Sequence, residues 1–111
     1  MSTETRNSLP CLSVVVPVYN EESTLETVVR KLLALQLLLE IIVVDDCSTD
    51  RTAEIAGQLA ASHPQVRFVR HQKNGGKTAA LKTGLALTSG DIVIMQGINP
   101  PSIASSYNFY L

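Results

Sequence analysis

Three polar clusters in this sequence carry residue types that could bind a phosphorylated nucleoside. The first runs from Pro17 to Glu21 and places the flat ring of Tyr19 beside hydroxyl and carboxylate groups. A ring of this kind can stack on a nucleobase. A turn between a strand and a helix accounts for the same residues, with Asn20 as the N-cap and glutamates near the positive end of the helix dipole. This cluster alone does not decide between the two interpretations.

The second cluster is the pair of adjacent carboxylates Asp45 and Asp46. Because like charges repel, one of two neighbouring carboxylates usually accepts hydrogen bonds from a ligand or from the backbone. Such a group could accept from the N–H of a base or from a ribose hydroxyl. The alternative is that the pair caps the turn that follows. Asp50 already offers a capping side chain for the next helix, which favours ligand binding by the pair.

The third cluster is Asn74-Gly75-Gly76-Lys77-Thr78. Glycines allow a ligand to approach the backbone closely, and N–H groups at a helix start attract a phosphate, to which Lys77 adds a positive charge. A flexible turn with a surface lysine is the alternative. A P-loop is excluded, because it needs a glycine five residues before Gly76, where His71 stands. A dinucleotide-binding fingerprint is excluded because the first turn contains no glycine.

The remaining candidate residues have simpler interpretations. His63 and His71 match no partner pattern, so we predict solvent-facing loop histidines. Cys47 has no nearby base and is predicted to fill a small turn position. Gly84 is predicted to permit close packing of a helix on a sheet, at a helix cost of about 1 kcal/mol relative to alanine.

Buried strands alternate with amphipathic helices along the chain. We predict strands over Leu12–Val18, Glu40–Val44, Val66–Val69 and Asp91–Met95, and helices after Asn20, after Asp50 up to His63-Pro64, and over Lys77–Thr88. This order with short connections requires an α/β fold with parallel strands and right-handed crossovers. Ligands in such sheets bind beyond the carboxyl ends of the strands, where all three polar clusters lie.

The composition limits the class of protein. The chain has 111 residues, 45% of them hydrophobic and 17% charged, with a net charge of −1, so we expect one globular domain without a nucleic-acid-binding surface. Two cysteines without metal spacing suit a reducing cytosol. The start lacks an apolar signal segment, and the apolar tract Leu32–Val44 is too short to span a bilayer. We therefore expect a cytoplasmic chain.

The segments Val14–Glu21, Glu40–Asp50, Asn74–Leu85 and Gly90–Ile94 together resemble the start of family 2 glycosyltransferases with the GT-A fold, near the dolichol- and polyprenyl-phosphate sugar transferases. The likeness extends from Leu12 to Gln96. It implies a Rossmann-like GT-A N-terminal half over residues 1–96, with a parallel sheet in the order 3-2-1-4 and helices on both faces. The implied reaction transfers a sugar from a UDP- or GDP-sugar to an acceptor, such as a polyprenyl or dolichyl phosphate.

The resemblance also implies roles for individual residues. The second aspartate of the pair reads the base, and a divalent ion, Mg²⁺ or Mn²⁺, bridges the diphosphate and stabilises the departing charge. The substrate-binding residues that we predict from the clusters and the resemblance are Pro17, Tyr19, Glu21, Asp45, Asp46, Gly76 and Lys77.

The sequence departs from the family after the fourth predicted strand. The family carries Asp-x-Asp there to hold the metal, whereas this chain has Gly97, Ile98 and Asn99. A hard cation such as Mg²⁺ prefers carboxylate oxygens. We therefore expect no metal ligands and no catalytic residue here, a divergent irregular tail over residues 97–111, and a chain truncated before the motif and inactive alone.

Two other classes of function remain open from the sequence. One is a non-catalytic module that binds a nucleotide or a partner protein, and the other is a degenerate fragment without function. A degenerate fragment would expose an unpaired edge on the fourth strand. Contact with the cytoplasmic face of a membrane is expected only through regions that this chain does not contain.

Overall fold

The computed structural model describes residues 9–97 and the backbone of residues 106–110. It contains all four strands and all three helices predicted from the sequence, and one further strand. In chain order the elements are β1 (Leu12–Val18), α1 (Leu25–Leu33), β2 (Leu38–Asp45), α2 (Thr52–Ser62), β3 (Val66–Arg70), α3 (Lys77–Leu87), β4 (Ile92–Gln96) and β5 (Ser106–Tyr110).

The strands form one sheet in the order β3-β2-β1-β4-β5, of which the first four run parallel. This arrangement confirms the α/β class and the predicted order 3-2-1-4. β1 lies in the middle, with β2 on one side and β4 on the other. Its consecutive valines Val14, Val15 and Val16 are fully buried, as expected for a central strand that is covered on both faces.

Helices cover both faces of the sheet, which gives the molecule two apolar cores. On one face α1 and α2 pack on side chains such as Val14 and Ile41, and on the other α3 packs on Val15 and Ile42. The alternation follows from the two-residue repeat of a strand. A Cβ atom on Gly84 of α3 would clash with the side chain of Val15, which confirms the predicted close packing of helix and sheet.

The fifth strand corrects the expectation of an irregular tail. Residues 106–110 pair antiparallel with β4, with Ile92 opposite Tyr110 and Gln96 opposite Ser106. β4 is therefore paired on both sides, and it lacks the unpaired edge that the sequence analysis expected of a degenerate fragment. The segment is rich in aromatic residues that favour strands, and the unpaired N–H and C=O groups of β4 offer it a ready partner. The rest of the predicted tail, residues 98–105 and 111, lies outside the described residues.

The helices of the described segment are short. The longest, α2 and α3, have 11 residues each, and none in residues 9–97 is long and apolar enough to cross a membrane. A span needs about 20 residues. Asp50, which the sequence suggested as the cap of α2, lies one residue before the N-cap Arg51, whose side chain makes no capping hydrogen bond. Oδ1 of Asp50 nevertheless accepts the backbone N–H of Thr52, the first residue of α2, at 2.9 Å.

Candidate functional site

Three loops follow the carboxyl ends of the parallel strands β1, β2 and β3. We call them loop 1 (residues 19–24), loop 2 (residues 46–51) and loop 3 (residues 71–76). Because parallel strands end at the same edge of a sheet, the loops lie side by side, and we call this edge the carboxyl rim. The three polar clusters of the sequence are therefore brought together in one place.

The carboxylate of Asp46 joins loop 2 to loop 3. Its Oδ1 accepts hydrogen bonds from the backbone N–H of Gly75 at 2.9 Å and from Nδ1 of His71 at 2.8 Å. Its Oδ2 accepts from the backbone N–H of Gly76 at 2.8 Å. The backbone N–H of Asp46 donates to the carbonyl of Val18 at 2.9 Å, which places Asp46 next to loop 1 as well.

These hydrogen bonds determine the charge of Asp46. Burial acts to raise the pKa of its carboxyl group, but the hydrogen bonds from Gly75, His71 and Gly76 together outweigh burial and lower that pKa below its ordinary value. The group is therefore ionised at neutral pH. The carboxyl rim thus holds a negative charge whose position is set by donors from loop 3.

His71 is a site residue that the sequence analysis missed. It was predicted to face solvent, whereas only 18% of its side chain is exposed. Nδ1 contacts Asp46, and Nε2 lies 2.8 Å from Oγ1 of Thr83 in α3. An ionised carboxylate only accepts hydrogen bonds, so Nδ1 carries a proton. The one signal in the sequence is its place directly after a strand, as for the other clusters.

Loop 1 is tied to loop 2 by Asn20. Its backbone N–H donates to Oγ of Ser48 at 2.8 Å, and its Oδ1 accepts from the backbone N–H of Thr49 at 2.8 Å. The expectation that Asn20 caps α1 is wrong, because α1 begins only at Leu25 after Thr24. Asn20 has φ 54, a left-handed conformation that asparagine tolerates better than most residues.

The predicted residues of the first cluster differ in their accessibility. Tyr19 is 46% exposed at the rim, so its ring is open to a ligand. Glu21 is half-buried, and its backbone N–H donates to Oγ1 of Thr52 at 2.8 Å. Burial, followed by the negative charge of Asp50, raises the pKa of the Glu21 carboxyl. Pro17 is buried within β1 opposite Val44, behind the rim rather than on it.

The two adjacent aspartates point to different partners. Asp45 is fully buried, and its carboxylate accepts from the backbone N–H and the hydroxyl of Ser48 and pairs with Nε of Arg70 at 3.1 Å. This is the capping arrangement that the sequence left open, so the structure does not place Asp45 at the surface where a ligand would meet it. Asp46 is the member of the pair that contacts loop 3.

The third cluster lies as predicted at the start of α3. Gly76 has φ 92, which a residue with a side chain rarely adopts, and it directly precedes Lys77, the exposed first residue of the helix. The N–H groups of Gly75 and Gly76 are used by Asp46. A phosphate would therefore meet the helix from Lys77 onward rather than at the two glycines.

An open depression of about 350 Å³ lies on the carboxyl rim, and His71, which contacts Asp46, is one of its lining residues. It is lined by Cys47, Arg70, His71 and Gln72. Its volume falls within the range of small-ligand pockets, about 300–1,000 Å³. The thiol of Cys47 donates to the carbonyl oxygen of Gln72 at 3.5 Å, and the residue has a left-handed φ of 67 in loop 2.

The ligand set for a divalent ion is not found in the part of the chain that the structure describes. There, no three His, Cys, Asp or Glu side chains lie close enough together to hold an ion. Gly97, the first of the three positions that replace Asp-x-Asp, has no side chain, and Ile98 and Asn99 lie outside the described residues. The described residues therefore do not fit Mg²⁺ or Mn²⁺, and we derive no chemical step through a metal.

Comparison with known proteins agrees with this fold. The family model of glycosyl transferase family 2 matches residues 13–96, which include the four parallel strands and all three loops. The chain therefore belongs to glycosyl transferase family 2.

Curated relatives share this segment. The dolichol-phosphate mannosyltransferase of Pyrococcus furiosus is 38% identical over 97 residues, covering 83% of this chain and 27% of the relative. A dolichyl-phosphate beta-glucosyltransferase of Trichomonas vaginalis is 37% identical over 90 residues, covering 73% of this chain and 27% of the relative. The chain thus spans about a quarter of the length of these relatives.

Solved structures share the fold. A mannosyltransferase of Pyrobaculum calidifontis in complex with GDP-Man and Mn²⁺ aligns with a TM-score of 0.72 and 31% identity, over 80% of this chain and 27% of that one. Residues 1–349 of TarS from S. aureus in complex with UDP-GlcNAc align with a TM-score of 0.67 and 27% identity, over 78% of this chain and 26% of that one. These neighbours carry different bases.

Proposed function

We propose that residues 9–97 bind the nucleotide of a sugar nucleotide, as the donor-binding half of a glycosyltransferase. The single observation that carries this proposal is the convergence of the three loops on Asp46. Its carboxylate binds the two glycines directly before Lys77, and its backbone N–H binds the residue directly before Tyr19. An aromatic ring, a fixed carboxylate and a cationic helix start thus share one rim.

Each group has a distinct part in this proposal. The exposed ring of Tyr19 stacks on the base, and such stacking contributes about 1–3 kcal/mol. Asp46 accepts a hydrogen bond from a base N–H. The start of α3 and the charge of Lys77 attract the diphosphate, because the N-terminal end of a helix carries a partial positive charge.

We propose further that residues 1–111 do not transfer the sugar by themselves. The neighbour with GDP-Man also contains Mn²⁺, whereas Gly97 of this chain lacks a side chain where the family is expected to hold a metal. Two relatives are named for dolichol-phosphate or dolichyl-phosphate, which supports a lipid phosphate as the acceptor of a whole protein. We propose that such a protein acts at the cytoplasmic face of a membrane.

Calorimetry with UDP and GDP tests nucleotide binding. We expect Tyr19→Ala to weaken binding about tenfold, the effect of losing about 1.4 kcal/mol of stacking energy. Leu35→Ala is the matched control, because Leu35 is 42% exposed, close to the 46% of Tyr19, but lies after α1 at the opposite end of the sheet. If the folded chain bound neither nucleotide, or if both substitutions weakened binding equally, the proposed site would be wrong.

A further inference from the structure

The hydrogen bonds of Asp46 leave it little capacity for a ligand. A carboxylate has about four acceptor positions, two on each oxygen. On Oδ1, Gly75 and His71 occupy both, and on Oδ2, Gly76 occupies one. Among the described residues these are the donors to the carboxylate, so one position remains, on Oδ2. Only 6% of the Asp46 side chain is exposed, so the carboxylate has little room to turn toward a ligand.

The number of remaining positions matters because bases differ in the donors on their edges. Guanine presents a ring N–H and an amino group side by side, and a carboxylate satisfies both only if each oxygen accepts one bond. Uracil presents a single ring N–H. A guanine at Asp46 would leave one of its donors without a protein acceptor, which makes its binding less favourable than that of uracil.

We propose that His71 is a specificity-determining residue that makes this site select UDP-sugars over GDP-sugars. It does so by occupying the second acceptor position of Asp46 Oδ1. The proposal rests on the proposed function, and it identifies the base that the site takes. The neighbouring structures contain both GDP-Man and UDP-GlcNAc, so family membership leaves the base open.

The geometry holds His71 in this role. Thr83 lies 2.8 Å from Nε2, and the backbone N–H of His71 donates to the carbonyl of Asp45 at 2.9 Å. The Thr83 hydroxyl donates to Nε2 when the ring is neutral, so that Nδ1 keeps its proton and faces Asp46. Of the two donors to Oδ1, Gly75 uses its backbone, and only His71 can be removed by substitution.

The test measures dissociation constants for UDP and GDP side by side in the full chain. The two ligands share the diphosphate, so their ratio isolates recognition of the base. We expect wild type to bind UDP at least tenfold more tightly than GDP. His71→Leu frees one position on Oδ1 and should narrow the ratio at least fivefold. His71→Asn restores a side-chain N–H donor and should recover most of the wild-type preference.

A merely structural role for His71 would weaken both ligands and leave the ratio unchanged, which would overturn the proposal. Equal affinities in wild type, or tighter binding of GDP, would also overturn it while leaving the proposed function intact. If wild type bound neither nucleotide, the proposed function would fail and this inference with it. If His71→Leu does not fold, which thermal unfolding detects, His71→Ala also removes the donor and should narrow the ratio in the same way.

Discussion

The two ends of the sheet use a buried carboxylate in the same way but for different purposes. At the carboxyl rim, Asp46 accepts backbone N–H groups from the loop directly before α3. We call the opposite end the amino rim and define it by Ser13, Glu40, Ser89 and Gly90. There, Glu40 accepts the backbone N–H of Ser89, which lies two residues after α3, at 2.6 Å. Each carboxylate thus fixes one end of the same helix to the sheet.

The surroundings of the two carboxylates differ. Glu40 also accepts from the hydroxyls of Ser13 at 2.7 Å and Ser89 at 3.0 Å, and a Cβ atom on Gly90 would collide with the carbonyl of Cys11. The amino rim is therefore closed. At the carboxyl rim, by contrast, His71, the hydrogen-bond partner of Asp46, lines an open depression of about 350 Å³. Burial of a carboxylate alone therefore does not distinguish the two rims, whereas the open surface next to the partner of Asp46 does.

The largest expected effect is the loss of Glu40. Glu40→Ala leaves the hydroxyl of Ser13 and the N–H of Ser89 without their acceptor and should lower the free energy of unfolding by about 3 kcal/mol. Urea denaturation measures this change. Glu54→Ala is the control, because Glu54 is 54% exposed in its pair with Arg51, and should cost less than about 1 kcal/mol. The UDP dissociation constant of folded Glu40→Ala should equal that of wild type; a weakened UDP affinity would break the contrast between the rims.

Glycine substitutions compare the packing of the two rims. Gly90→Ala places a Cβ against a backbone carbonyl and should cost about 2 kcal/mol of stability. Gly75→Ala meets Cβ of Ala79 at 3.1 Å and Oδ1 of Asp46 at the ordinary contact distance of 3.8 Å, and should cost less. Gly57→Ala in α2 meets nothing within 4 Å and should stabilise the protein by about 0.5–1 kcal/mol. Thermal unfolding gives the three values, and a cost for Gly75→Ala above that for Gly90→Ala would contradict the closed amino rim.

The pH dependence of stability is the smallest effect. Burial acts to raise the pKa of Glu40, but hydrogen bonds from Ser13, Ser89 and Arg67 outweigh it, so the pKa lies below its ordinary value of 4.5, as that of Asp46 lies below 3.8. Stabilisation by each group is present above its ordinary pKa and is lost as pH falls through the lowered pKa. Glu21 has the opposite sign, because its raised pKa means that stability is lost as pH rises through that value.

Variants separate these contributions to the pH dependence. The ordinary pKa of the Glu40 carboxyl is 4.5. Because glutamine does not titrate, the free energy of unfolding of Glu40→Gln should fall less steeply than that of wild type as the pH drops below 4.5. Glu21→Gln should raise stability slightly at neutral pH and have no such effect in acid. Denaturant titrations at several pH values measure both, and an unaltered acid limb in Glu40→Gln would show that this carboxylate does not contribute to the acid dependence.

Local pattern determined most of the fold. The sequence predicted these elements from residues that lie close together in the chain. The valine run indicated β1, and the helical repeats after Asn20, Asp50 and Gly76 indicated the three helices. Short connections then required parallel strands and placed three polar loops at one rim. β5 could not be found in this way, because its strand forms by pairing with β4 rather than by a pattern of its own.

The sequence by itself established the family resemblance, the parallel sheet and the rim at which its polar clusters meet. The resemblance already implied that the second aspartate reads the base, but only the tertiary structure showed Asp45 enclosed by Ser48 and Arg70 and placed His71 on the carboxylate of Asp46. Two adjacent aspartates have nearly the same sequence neighbours, so local sequence does not show which partners each one contacts. Their partners lie up to about 30 residues away, as with Asp46 and Gly76, so the packing of loops on different strands decides which carboxylate each donor reaches.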